Sequence, residues 1–344
     1  ETVPSRFPNT RFATVKEPIG PVAALTPWNF PVMLSAMKVS AALAAGCSVV
    51  LKPADETPMA AAQMVRCFHE AGVPAATLQM LVGSPVEVSR QLITSAEIRK
   101  ISFTGSTHVG RLLAEQAGRA LKPITLELGG HAPVIVCEDA DPQAAVAALA
   151  QIKFRNAGQI CANPSRFYVH RRHQAAFVDA FAAVARETVV GPGEDAVTTM
   201  GPLANERRWR AVQSLVDDAR QQGAQIVCGG QTGDSAGRGQ GYFYMPTVLA
   251  DVPAQARILH EEPFGPLVPV VPFDSIDEAL AMANGLSVGL AAFVFTQNLR
   301  TARQLSEGLQ AGAVGINCIT LMQPETPFGG VLDSGFGREN GRQS

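Results

Sequence analysis

The sequence predicts an α/β protein made of two doubly wound domains. Three observations predict it. Helical and strand patterns alternate from residue 32 onward, as in a parallel sheet covered by helices on both faces. The alternation restarts after Gly130. The chain has 344 residues and is 47% hydrophobic, enough apolar material for two packed cores. In order, Met33 to Ala45 is Ala-rich and reads as a helix, and Ser48 to Leu51 is a short β-branched run that reads as a buried strand. A helix follows over 59–70, a strand over 78–82, a helix over 85–94, a strand over 98–103 and a helix over 107–120. Beyond Gly130, 134–136 is a strand, 142–154 a helix and 167–169 a strand. Long helices are expected near 174–187 and 203–222, and strands near 225–228, 268–272, 291–295 and 313–316. The Gly-rich stretch Gly229 to Gly241 reads as an exposed loop. No internal repeat or low-complexity tail interrupts this order.

Composition narrows the function. A net charge of −2 leaves no basic face for nucleic acid and no cationic cluster for an anionic membrane. No segment reaches the roughly 20 apolar residues that a bilayer requires. The longest candidate, Val39 to Leu51, is broken by Gly46. Six cysteines at irregular spacing form neither a disulfide framework nor a metal-binding pair, which fits a reducing cytoplasm and implies no metal. Five of them, Cys47, Cys67, Cys137, Cys228 and Cys318, lie in or beside apolar runs and read as small buried hydrophobes.

Cys161 differs by its surroundings. It closes Gly158-Gln159-Ile160-Cys161, and 34 residues upstream stands Leu126-Glu127-Leu128-Gly129-Gly130. Glu127 is an isolated carboxylate in an apolar strand; alternation alone allows it to face outward, whereas the two glycines permit the close approach that a site needs. Asn29 in Pro27-Trp28-Asn29-Phe30-Pro31 is either a cap on the turn or a side-chain donor. Gly105 and Ser106 join the strand 98–103 to the next helix, where the first N–H groups can hold a phosphate or where Ser106 merely caps. There is no Gly-x-Gly-x-x-Gly and no Walker motif. Lys52 opens Lys52-Pro53-Ala54-Asp55, and Glu262 and Phe264 stand in Glu262-Pro263-Phe264-Gly265-Pro266. Arg155 lies six residues before Cys161 and is either a surface residue at a helix end or a partner for a carboxylate.

These motifs, in this order from about residue 12 to residue 340, resemble the aldehyde dehydrogenase superfamily. The resemblance implies two doubly wound domains with the active site between them. It implies oxidation of an aldehyde to a carboxylic acid with NAD(P)+, through a thiohemiacetal and then a thioester. Cys161 would be the nucleophile and Glu127 the base that activates the deacylating water. Asn29 would hold the oxyanion, with Lys38 nearby. Trp28, Lys52, Asp55, Gly105, Ser106, Glu262 and Phe264 would bind the cofactor: Lys52 the adenosine ribose, Glu262 the nicotinamide ribose, Phe264 the nicotinamide pocket. A carboxylate at Asp55 accepts from a ribose 2′-hydroxyl and repels a 2′-phosphate, so NAD is expected ahead of NADP. Arg155 resembles the arginine with which succinic semialdehyde dehydrogenases hold the distal carboxylate, which points to a short semialdehyde.

The resemblance has departures. The second arginine of those enzymes would precede Lys38, where Met37 stands; their serine is missing near Met322-Gln323; and Leu332 occupies a position where the family commonly has Lys. The implied division is an assembly hairpin over 1–18, a cofactor domain over 19–129, a catalytic domain over 130–330 and a return to the cofactor domain over 331–344. The family's usual N-terminal region, about 140 residues and so the size of a domain, is expected to be absent. The family also implies a cytoplasmic homodimer or homotetramer with a small aldehyde as substrate. Two rival readings remain: a non-catalytic fragment or structural paralogue, and a coenzyme A-acylating dehydrogenase, which Glu127 disfavours because that branch typically lacks the acid.

Overall fold

The computed structural model describes residues 2–233 and 241–343. Backbone contacts divide the chain into two compact units, one of residues 1–104 and 111–125, the other of residues 105–110 and 126–344.

In the first unit, two short exposed strands, β1 (Thr2–Val3) and β2 (Phe12–Ala13), pair antiparallel. The rest is β3 (Val22–Leu25), α1 (Pro31–Ala44), β4 (Val49–Lys52), α2 (Pro58–Glu70), β5 (Leu78–Met80), α3 (Pro85–Thr94) and β6 (Lys100–Thr104). The four strands β6-β3-β4-β5 are parallel neighbours in that order. Proline opens each of the three helices, where its missing N–H costs nothing and its fixed φ suits the first turn. Gly46 at φ 77 ends α1, and its N–H donates to the Leu43 carbonyl. Ala24, Val39, Val49, Leu51, Ala61, Met64, Val65 and Leu78 form the core between sheet and helices. The helix α4 (Thr107–Arg119) and strand β7 (Ile124–Glu127) each contribute residues to both units.

The second unit continues with β8 (Ala132–Val136), α5 (Pro142–Lys153), β9 (Pro164–His170), α6 (Gln174–Glu187), α7 (Glu206–Gln221), β10 (Gln225–Cys228), β11 (Thr247–Ala250) and β12 (Leu267–Phe273). Then come α8 (Ile276–Ala283), β13 (Val288–Gly289), β14 (Ala291–Phe295), α9 (Leu299–Gly308), β15 (Ala313–Ile316), β16 (Val331–Leu332) and β17 (Gly335–Phe336). Its seven-stranded sheet runs β10-β11-β12-β9-β8-β14-β15, parallel except for β10. Buried strands such as Ala132–Val136 are continuous apolar runs, as a sheet covered on both faces demands. Phe154, Phe167, Phe177 and Phe181 meet at centroid distances of 5.5 to 6.1 Å under the sheet. Truncating any one of them to Ala would cost about 3–5 kcal/mol.

Several sequence expectations need correction. The strand Val22–Leu25 is the centre of its sheet, yet its Ala content and flanking prolines hide it. The strand Thr247–Ala250 and the helices Ile276–Ala283 and Leu299–Gly308 were also not expected. Cys67 and Cys318 are exposed and Cys228 is half-buried; Cys47 and Cys137 are buried as expected. In the Gly-rich stretch, Gly230 and Gly233 are buried, because Gly233 N donates to Phe243 O and Gly230 N to Thr247 Oγ1; residues 234–240 lie outside the described residues.

Candidate functional site

Cys161 is reached through a tight left-handed turn. Asn156, Ala157 and Gly158 have φ of 51°, 52° and 75°. Left-handed backbone is costly for an alanine, on the order of 1 kcal/mol, so the surroundings must enforce it. Gly158 is required outright: a Cβ there would lie 2.2 Å from Gly265 O. Side chains satisfy the turn. Asn163 Nδ2 donates to Gly158 O at 2.8 Å, and Gln159 Nε2 donates to Asn156 O at 2.9 Å. Gln159 Oε1 accepts from Ala204 N at 2.9 Å. The turn delivers Cys161 to the entrance of β9 as a half-buried residue. Although part of the residue is exposed, its thiol senses a buried environment, which pushes its pKa up to about 12. The charges of Glu262 and Glu127 add to the rise, while the N–H groups of Ala162 and Cys161 oppose it. The structure therefore brings the predicted thiol within electrostatic reach of both predicted carboxylates of its unit.

Glu127 ends β7 and is buried. Its carbonyl accepts from Gly105 N at 3.0 Å, and its strand pairs with β17 through Gly335. A Cβ on Gly329 would sit 2.7 Å from Glu127 Oε1, so the carboxylate is pressed against the backbone at 329. Beyond it, Gly130 N donates to Glu262 Oε1 at 3.2 Å. Gly130 also packs against the Cys161 backbone, since a Cβ there would lie 2.9 Å from Cys161 O. Burial raises the Glu262 carboxyl pKa to about 7, against the opposing pull of the Gly130 N–H and the Arg208 charge. Phe264 is held at φ 43°. The Arg208 guanidinium lies 5.9 Å from its ring centroid and donates to Pro263 O at 3.2 Å. Ser106 is exposed at the start of the 13-residue helix α4, where its Oγ accepts from Val109 N at 3.4 Å.

In the first unit, Trp28 and Asn29 are half-buried in the loop leaving the carboxyl end of β3. Lys38 on α1 is buried and donates to Ser102 Oγ at 3.1 Å. Lys52 ends β4; its Nζ donates to Pro53 O at 2.9 Å and pairs with Asp55 Oδ1 at 2.5 Å. The Asp55 side chain is 46% exposed and open to a further donor. Arg155, by contrast, is exposed on the turn before Cys161.

A nicotinamide dinucleotide presents phosphates and ribose hydroxyls. The residues present fit it. The amides opening α4 suit a phosphate. Lys52 and Asp55 offer a donor and an acceptor for a ribose, and Glu262 offers an acceptor. Among the described residues, the buried Arg208 Nε has no hydrogen-bond partner and is a donor to spare.

Three basic residues were overlooked in the sequence. Lys153 is fully buried and donates to Pro164 O at 2.8 Å, and its burial lowers its pKa to about 7. Arg166, 1% exposed, donates to the carbonyls of His131, Met282 and Ala283. His131 is buried beside Gly130. The available signal was a basic residue inside an apolar run, as in Arg166-Phe167-Tyr168-Val169.

A thiol beside ionisable carboxylates, in an α/β frame with donors for a dinucleotide, is equipment for oxidising a carbonyl compound. The chain belongs to the aldehyde dehydrogenase family, whose model matches residues 1–344. It is 51% identical over 341 residues to the "Putative 4-(hydroxymethyl)benzenesulfonate dehydrogenase TsaD2" of Comamonas testosteroni, covering 99% of this chain and 70% of that protein. It is 43% identical to the "Probable succinate-semialdehyde dehydrogenase [NADP(+)]" of Sinorhizobium fredii, covering 99% and 69%. The crystal structure of succinate-semialdehyde dehydrogenase from Burkholderia pseudomallei superposes with a TM-score of 0.97 at 42% identity, covering 100% of this chain and 70% of that one. The protein is an NAD(P)-dependent aldehyde dehydrogenase. Among the described residues, no helix is long and apolar enough to cross a membrane.

Proposed function

We propose that the protein oxidises an aldehyde bearing a distal anionic group, through a thiohemiacetal and a thioester on Cys161. The observation that carries this reading is the Cys161 thiol, whose pKa is raised by burial first and then by the charges of Glu262 and Glu127. Such a thiol holds its proton at neutral pH, so attack on the aldehyde carbon requires a proton acceptor. The thiol proton passes to solvent as the S–C bond forms, and the carbonyl oxygen becomes an oxyanion. The Cys161 N–H and the Asn29 side chain donate to that oxyanion; one such donor is worth about 3–4 kcal/mol in comparable sites. The bound nicotinamide supplies the hydride acceptor. The Lys52 ammonium and the Asp55 carboxylate hold the adenosine ribose, with Trp28 at its side. Gly105 allows the turn at which Ser106 and the first N–H groups of α4 hold the diphosphate, and Glu262 with Phe264 orients the nicotinamide end. Lys38 fixes α1 through Ser102. Loss of hydride leaves a thioester on Cys161. Glu127 then removes a proton from the water that attacks the thioester carbon, and the carboxylic acid departs as the thiolate is regained.

Arg155, exposed six residues before Cys161, is the proposed partner of the distal anion. The named substrates of the two relatives support an anionic group of either kind: a sulfonate in one, a carboxylate in the other. Asp55 favours NAD because a 2′-phosphate would meet its charge. Catalysis would follow a division of the chain near Gly129 into cofactor-binding and catalytic parts.

The test is Glu127→Gln. Base catalysis is needed for hydrolysis and not for hydride loss. A first turnover of NADH at near the wild-type rate, followed by steady turnover reduced about a hundredfold, is expected in stopped-flow absorbance. Equal slowing of both phases would remove Glu127 from deacylation.

A further inference from the structure

The candidate reactive residues sit on three separate segments, and one buried imidazole ties all three. His131 lies four residues after Glu127. Its Nδ1 lies 2.7 Å from Ser165 Oγ, and Ser165 is four residues after Cys161. Its Nε2 lies 3.0 Å from Ile258 O, and Ile258 is four residues before Glu262. Its own carbonyl accepts from Arg166 Nε at 2.9 Å.

The network fixes the tautomer. Ile258 O can only accept, so Nε2 carries the proton; Nδ1 then accepts from the Ser165 hydroxyl. The imidazole is neutral. Burial holds its pKa well below the usual histidine value, and the charge of Arg166 lowers it further. Ser165 reaches the ring because of a β-bulge. Ala132 pairs with Pro164 and Pro133 with Arg166, so Ser165 is the extra residue on β9. Bulges of this kind re-aim a side chain beside a site.

We propose that His131, as the neutral Nε2–H tautomer, is a positioning residue that sets the Cys161 and Glu262 segments against the Glu127 strand. This rests on the assignment of those three residues to the active site. The two ring nitrogens serve different arms. The Ile258 bond restrains the turn that leads to Glu262, and so acts on cofactor binding. The Ser165 bond restrains the segment that follows Cys161, and so acts on thiol accessibility.

The arms separate in a variant series. His131→Gln keeps a donor near the Nε2 position, His131→Asn keeps an acceptor near the Nδ1 position, and His131→Leu keeps neither. Two readouts serve: NADH dissociation by fluorescence titration, and the alkylation rate of Cys161 by iodoacetamide at one fixed pH, followed by peptide mass spectrometry. His131→Asn is expected to weaken NADH about tenfold with alkylation near wild type; a tenfold loss corresponds to one uncharged hydrogen bond of about 1.4 kcal/mol. His131→Gln is expected to bind NADH normally while Cys161 alkylates about fivefold faster, as the thiol gains solvent. His131→Leu shows both changes. Ser165→Ala, which removes only a hydroxyl, must reproduce the alkylation change alone, and decides the matter if the His131 variants fold poorly. If both readouts move together in every variant and follow the loss in Tm, His131 is only a core residue and the proposal is overturned. Cys161→Ala and Glu262→Gln separate the two levels. Retained oxidation in the first, or unchanged NADH binding in the second, defeats the active-site assignment even if the His131 variants split as stated.

Discussion

The two ends of the seven-stranded sheet are built differently. At the carboxyl ends of β8, β9, β12 and β14, a cavity of about 420 Å³ is lined by Cys137, Asp139, His170, Phe273, Ser275 and Asn298, among others. Its charges are neutralised at the surface: Arg171 pairs with Asp274 at 2.6 Å and Arg172 with Glu138 at 3.6 Å, all four side chains more than half exposed. At the amino ends of β8, β9 and β12 there is little open volume. There Gly130, Cys161 and Glu262 crowd together, and Lys153 and Arg166 direct their protons to backbone carbonyls. Open α/β sheets ordinarily bind ligands beyond the carboxyl ends of their strands. In the first unit, Asn29 follows β3 and Lys52 ends β4, both at that end of the sheet. Burial pushes a thiol pKa up to about 12 at both ends of the seven-stranded sheet, Cys137 in the carboxyl-end cavity and Cys161 at the amino end. The feature that sets the amino end apart is the Glu262 carboxyl, which burial raises to about 7.

Cys161→Ala is the largest test of this contrast. Aldehyde oxidation is expected to fall by about a thousandfold or more, with NADH binding retained, because no other nucleophile replaces the thiolate. Turnover within tenfold of wild type would move the chemistry elsewhere.

Arg155→Leu comes next. It is expected to erase a preference of about ten- to a hundredfold for an anionic aldehyde, such as succinic semialdehyde, over butanal, in line with one charged hydrogen-bonded pair. Butanal oxidation should persist. Equal slowing of both aldehydes would make Arg155 structural.

Glu262 gives a pH signature. Its pKa near 7 means that it takes up a proton as pH falls through neutrality. The ionised form is the better acceptor for a ribose hydroxyl, so the NADH dissociation constant should rise by up to about tenfold as pH falls from roughly 8 to 6. Glu262→Gln should flatten the profile, and a flat wild-type profile would separate Glu262 from the cofactor.

The smallest effect is expected at the other end of the sheet. Asp274→Asn breaks an exposed ion pair and should leave kcat/KM within about twofold. A larger loss would give the carboxyl-end cavity a part in catalysis.

Much of the fold was legible because its elements carry local signals. Pro31, Pro58, Pro85 and Pro142 each open a helix, and buried parallel strands are continuous apolar runs. Val22–Leu25 escaped because its Ala content resembles a helix and prolines bracket it. Leu299–Gly308 escaped because few of its residues face the core and only Leu305 is buried. The motif residues Cys161, Glu127 and Glu262 stood out by their neighbours in sequence. His131, Lys153 and Arg166 did not, because their significance lies in which backbone carbonyls they meet, and those contacts span up to 127 positions in the chain. Leu332 is exposed at φ 55°, and nothing in the structure explains a leucine there.

The most direct measurement is intact-protein and peptide mass spectrometry of Glu127→Gln quenched after mixing with succinic semialdehyde and NAD+. The account predicts near-stoichiometric NADH and one acyl group, held as a thioester on the peptide containing Cys161. NADH released without an acyl group on that peptide would contradict it.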